Sequence, residues 1–133
     1  MGPVVDVEFE NNDLPFIKDA LEVYSEGKRL VMEVAQHIGN NTVRCIMLGA
    51  SEGLCKDMDV IATGKGIQVP VGKKTLGRLF NVLGETIDGG ESLEGEEHWV
   101  IHRDPPSFEE QSPVVEMLET GIKVIDLLAP YAK

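Results

Sequence analysis

Cysteine is scarce in this chain: Cys45 and Cys55 are the only two, with no C-x-x-C spacing. That argues against a disulfide framework and a thiolate zinc site, and leaves two free thiols as the expectation. Aromatic residues make up only 5% of the sequence, and the formal charge is −11 with a pI near 4.6. Six lysines and arginines lie in 1–71 and six in 72–133, with no basic block. An oligonucleotide-binding barrel needs a basic groove with stacking aromatics, so nucleic acid is a poor fit as a partner. No apolar run approaches the roughly 20 residues that cross a bilayer. The opening MGPVVDVEFE lacks a basic segment followed by an apolar one, so no secretory leader is expected.

A phosphate loop also fails on spacing. In VPVGKKTLGR (Val69 to Arg78), Gly72 and Lys73 fit the pattern G-x-x-x-x-G-K-[ST]. The following position is Lys74, however, with Thr75 one place late. The first glycine is due at Ile67, and Gly66 is one place early. Lys73 and Lys74 therefore read as surface charges at a turn. The acidic run from Glu85 to Glu97 holds six acids but no EF-hand order, and reads as a solvated loop. His98 and His102, four apart in HWVIH, share a face on a strand or a helix, but no third ligand accompanies them. Two carboxylate pairs, Glu109 with Glu110 and Glu116 with Glu119, are candidates for acid–base work. Adjacent residues diverge on a strand, and Glu116 and Glu119 would lie one turn apart on an exposed helix, so solvated charge is the expectation.

Short alternating segments fill the first seventy residues. Val5, Val7 and Phe9 oppose Asp6 and Glu8; Leu21 and Val23 oppose Glu22. Leu30, Met32 and Val34 share a face, as do Val43, Cys45 and Met47. SEGK and GNN are turn signals between them. DVIAT and IQVPV follow, the latter limited by Pro70, which cannot donate to a ladder. Six antiparallel strands in about seventy residues suit a small closed β-barrel, with a sandwich as the alternative.

The pattern changes after Gly72. Leu76, Leu79, Phe80 and Leu83 recur at helical spacing, with Thr75 to cap and Gly84 to end. HWVIH predicts a strand. Pro113 is placed to open a second helix, PVVEMLE, and IKVIDLLAP predicts a third that stops at Pro130. The fold expectation is thus mainly β: a six-stranded barrel over 1–71, then a partly helical segment over 72–133 that begins an incomplete α/β domain. The apolar residues Val114, Met117, Ile122 and Leu127 call for a cover that the segment itself does not supply.

The segments VPVGKKTLGRLFNVLGETID and LETGIKVIDLLAPYAK resemble the beta subunit of F-type ATP synthases. GPVVDVEF and VRCIMLGASEGL support the likeness, which runs nearly end to end. Related alpha, export-type and vacuolar subunits share TLGR-like and TGIK-like segments, so the equivalent domain of such a subunit is the alternative. The resemblance implies an N-terminal six-stranded barrel that joins alpha-subunit barrels in the crown of a hexameric ring. It implies a parent enzyme that makes ATP from ADP and phosphate, with Mg2+, driven by a proton gradient through a central stalk. The parent would lie peripherally on the cytoplasmic side of an energy-transducing membrane, meeting it only through the complex. Lys133 precedes the point where such subunits carry their phosphate loop. No catalytic, cofactor-binding or metal-binding residue is therefore expected in these 133 residues, and the chain alone is expected to be inactive.

Overall fold

The computed structural model describes residues 3–10, 13–111 and 114–133. By packing, the chain forms two units, residues 1–103 and 104–133.

The first unit is built on five strands: β1 (Val4–Glu8), β2 (Asp19–Ser25), β3 (Lys28–Gly39), β4 (Thr42–Met47) and β5 (Val60–Gly66). All pair antiparallel in the order β1-β4-β3-β2-β5. Two hairpins fix the register. At the β2–β3 turn Glu26 and Gly27 have φ of 50° and 77°; at the β3–β4 turn Asn40 and Asn41 have 50° and 56°. Positive φ at both central residues matches the right-handed twist of the flanking strands, and glycine and asparagine accept it at least cost. Register shifts between Val34 and Gln36, between His37 and Gly39, and in the β2–β5 pair bend the sheet.

The bent sheet wraps its main core. Val7, Leu21, Val23, Met32, Val34, Val43, Cys45 and Met47 are buried together, with Val5, Phe9, Leu14, Leu30, Leu54, Met58 and Val60 packed around them. These are the alternating positions read from the sequence. The opposite face buries a smaller group, Ala20, Val31 and Ile67, against Leu48 and Leu83.

Closure of a six-stranded barrel is not what forms. The sheet is open, with β1 and β5 at its margins, and the sixth strand, β6 (Gln68–Pro70), leaves it. It pairs instead with β7 (His98–Val100), Val69 opposite Trp99. Pro70, opposite His98, falls between bonded pairs, so its missing N–H is no obstacle, and Val71 N–H still donates to the Glu97 carbonyl at 2.9 Å.

The helix expected from Thr75 to Gly84 is also absent. Lys73–Thr75 make one tight 3-10 turn, and the chain then runs irregularly to a single bridge between Phe80 and Thr86. Leu76 and Leu79 stay exposed while Phe80 is half-buried and Leu83 packs on the smaller core group, so the apolar period does not form one buried face. Gly77 takes φ 72°, which ends any helical run. Side chains then capture the backbone: Leu83 N–H and Glu85 N–H both donate to Asn81 Oδ1, at 2.9 and 3.0 Å. Such local bonds compete directly with the helical ladder.

The second unit holds β8 (Met117–Leu118) paired with β9 (Tyr131–Ala132), a 3-10 turn at Phe108–Glu110, and one helix, α1 (Lys123–Leu128). The expected helix PVVEMLE does not form over its described part, where Met117 and Leu118 are extended; Pro113 lies outside the described residues. The third expected helix is α1. No described helix is long and apolar enough to cross a membrane.

Candidate functional site

The stretch Gly72–Thr75 satisfies itself internally. Gly72 carries φ 104°, and its carbonyl accepts both Thr75 N–H (3.2 Å) and the Thr75 hydroxyl (2.7 Å). Lys74 Nζ lies 2.6 Å from Glu96 Oε1, and that bond raises the lysine's pKa. The threonine hydroxyl therefore serves the turn, and the Lys74 charge serves the acidic loop.

A cleft of about 730 Å3 opens within the first unit, where residues 83–98 lie over β2, β3 and β5. Its apolar floor is Ala20, Val31, Ile67, Leu83 and Leu93. An ion network closes one wall. Arg29 donates to Glu22 Oε1 (2.8 Å) and to Glu85 Oε1 (3.1 Å), and Asn81 Nδ2 donates to Glu85 Oε2 (2.7 Å). The Arg29 guanidinium holds the Glu22 carboxyl below its ordinary range, and Glu22 in turn raises Arg29. The Arg29 charge is thereby used to tie β2 and β3 to the loop, while Lys65 and Glu94 also line the cleft.

A second clamp organises that loop. Arg78 donates to both oxygens of Asp88, at 2.6 and 2.9 Å, and to the Glu91 carbonyl at 3.0 Å. Asp88 also accepts Gly90 N–H and Leu79 N–H. The Arg78 guanidinium, with these amides, holds the Asp88 carboxyl far below its usual range. A Cβ at Gly90 would fall 2.4 Å from Arg78 Nη2, so the bare backbone is what lets the arginine in. This clamp was not anticipated; the dipeptide pair Gly89–Gly90 after Asp88 is the signal that could have found it.

The histidines come apart. His98 Nδ1 meets the Glu96 carbonyl at 2.8 Å, and His102 Nε2 meets Glu33 Oε2 at 2.8 Å. Each has its own partner, and no group of three or more potential metal ligands assembles among the described residues. Arg103 stacks 3.7 Å over the Trp99 ring, whose Nε1 donates to Glu97.

One member of each carboxylate pair has a local partner. Glu110 accepts from the Ser107 N–H and hydroxyl, both at 2.9 Å, as the closing arm of a capping box. Glu116 and Glu119 are not a turn apart on a helix, because β8 separates them; Glu116 lies 3.4 Å from Lys133 Nζ. Asp126 instead does the local work. It accepts Thr120 N–H, the Thr120 hydroxyl (2.6 Å) and Gly121 N–H, and the Thr120 bonds lower its pKa.

Cys45 is buried in the main core, and that burial, with the nearby Asp6 charge, pushes its thiol up to about 11. Cys55 is exposed.

Residues 1–64 match the family model described as "ATP synthase alpha/beta family, beta-barrel domain". The matched span contains all of β1 to β4 and most of β5, which is the whole main core. Residues 1–64 are thus similar to the beta-barrel domain of the ATP synthase alpha/beta family.

Proposed function

We propose that this chain supplies the N-terminal assembly domain of the beta subunit of an F-type ATP synthase. The observation that carries the reading is the family match over the residues that build the sheet and its core. The likeness of TLGRLFNVLGETID and LETGIKVIDLLAPYAK to beta subunits supports the finer assignment. In this reading residues 1–71 form the rim domain, and residues 72–133 lead into the nucleotide-binding domain. The rim domain packs beside alpha subunits in the ring. A paired sheet over a close-packed core resists deformation, which suits a static collar above moving domains.

The parent enzyme in this reading joins ADP and phosphate with Mg2+, driven by proton flow, and sits peripherally on the cytoplasmic side of its membrane. The present residues supply scaffold. The internal bonding of Gly72 to Thr75, and the spending of Arg29 and Lys74 on structural pairs, support that division of labour.

Calorimetry tests both halves. Titrating the chain into purified alpha subunits of an F-type ATP synthase should give saturable binding, and titrating it with MgATP should give none. Tight, stoichiometric MgATP binding, or no interaction with alpha subunits, would overturn the reading.

A further inference from the structure

The two margins of the five-stranded sheet differ. β5 is interrupted: its pairing with β2 shifts register between Asp19 and Leu21, and Gly64 within it takes φ 67°. β1 keeps an unbroken register with β4 along its whole length, from Val4 opposite Ile46 to Glu8 opposite Thr42.

The direction of each β1 amide follows from two bonds that flank this ladder. Phe9 N–H donates to the Asn41 carbonyl (2.8 Å), and Met47 N–H donates to the Pro3 carbonyl (2.7 Å). Antiparallel pairs alternate between bonded and non-bonded, so the bonded pairs in the same register are Val5 with Cys45 and Val7 with Val43. The N–H and C=O groups of Val4, Asp6 and Glu8 therefore point away from β4, off the sheet. No described residue bonds to them. An edge with unpaired groups is a template for another strand.

The side chains specify what that strand must carry. Val5 and Phe9 are only half-buried, at the boundary of the main core. Asp6 and Glu8 stand on the opposite face, and Glu10 follows them; residues 3–10 hold no lysine or arginine. Both Asp6 oxygens are already bonded by Arg44, at 2.8 and 2.9 Å, whereas Glu8 has no partner among the described residues. A second copy of this edge would set acid against acid, in a chain already at −11.

We propose that the free margin of β1 docks an extended segment of a partner polypeptide in which apolar and basic residues alternate, added as the next strand of the sheet. The apolar residues extend the core beside Val5 and Phe9. The lysines or arginines meet Glu8, beside the Asp6–Arg44 pair. Main-chain bonds to Val4, Asp6 and Glu8 supply the adhesion, and the alternation supplies the selectivity. The inference rests on the geometry of this edge and not on the family role proposed above.

The probe is a short peptide in which lysine and valine alternate, added to the full chain and followed by fluorescence anisotropy and amide hydrogen exchange. Saturable binding is expected, with slowed exchange at the Val4, Asp6 and Glu8 amides. A peptide alternating glutamate and valine should not bind. N-methylating the outward amides of the lysine–valine peptide keeps its charge but removes main-chain bonds, and should weaken binding about tenfold or more. Glu8→Lys, at an exposed position, should weaken the basic peptide and admit the acidic one. The proposal is overturned by no binding, by equal binding of both peptides, or by an N-methylated peptide that binds as well. It is also overturned by binding that leaves those three amides unprotected, or by self-association of the chain that protects them without peptide.

Discussion

Residues 3–66 and residues 72–98 belong to one packed unit, yet different forces hold them. The first stretch carries nearly every fully buried apolar side chain, including Leu21, Met32, Val34 and Val43. The second buries little beyond Leu93 and leaves Leu76 77% exposed. Its order comes from Asn81 and Asp88 accepting backbone amides, and from Arg29, Lys74 and Arg78 in ion pairs. Burial that repeats along a strand dictates structure over many residues. Polar capture dictates it one turn at a time, and it depends on which side chain happens to reach which amide.

Core truncation should separate the two regions most sharply. Leu21→Ala removes a fully buried side chain and should cost about 2–5 kcal/mol in urea unfolding. Leu76→Ala should stay within about 0.5 kcal/mol, since the side chain touches mainly solvent. Comparable losses from both would erase the contrast.

The next effect is local. Arg78→Ala should speed exchange at the Leu79 and Gly90 amides, which bond to Asp88, while amides within β3 and β4 keep their protection. A uniform loss of protection would mean that the clamp supports the sheet as well.

Acid should act on the same clamp. Asp88 is held below its ordinary range, so its bonds contribute stability above the unfolded value near about 4 and lose it as pH falls through the lowered one. Asp126 shifts in the same direction for its own reason. Titration followed by the side-chain carbon signals of these two residues should place both midpoints below those of model peptides. Ordinary midpoints would mean the bonds are not kept in solution.

The smallest change concerns the thiols. Cys55 should react with iodoacetamide at neutral pH, and Cys45 only after unfolding. Because folding raises the Cys45 thiol to about 11, its contribution to stability is full below the unfolded value near about 8.5 and is lost as pH rises towards 11. Rapid labelling of Cys45 in the folded chain would show that the core opens.

The sheet was readable because period-two alternation reports burial directly. Val43, Cys45 and Met47 on one face, with GNN before them, leave little choice but a hairpin. The helix expected over Thr75–Gly84 misled for the converse reason. Leu76, Leu79, Phe80 and Leu83 have the right period, but Gly77 and the Asn81 and Asp88 side chains redirect the backbone before the ladder can form. Periodicity carries no information about those captures. Closure was not readable either: strand count cannot say whether β6 returns to β1 or pairs with β7, which lies twenty-eight residues further on, counting from Pro70 to His98. In the candidate site, single residues such as Lys74 and His98 were correctly placed near turns and strands. The pairs Arg29 with Glu85 and Arg78 with Asp88 join positions that no local pattern links.

Hydrogen exchange on the complex with purified alpha subunits tests the assembly role most directly. The account predicts that added protection falls on the sheet of residues 3–66 while the amides of Gly72 to Thr75 exchange as before. A complex whose new protection lies outside the sheet, or an unchanged exchange pattern at saturating alpha subunit, would contradict it.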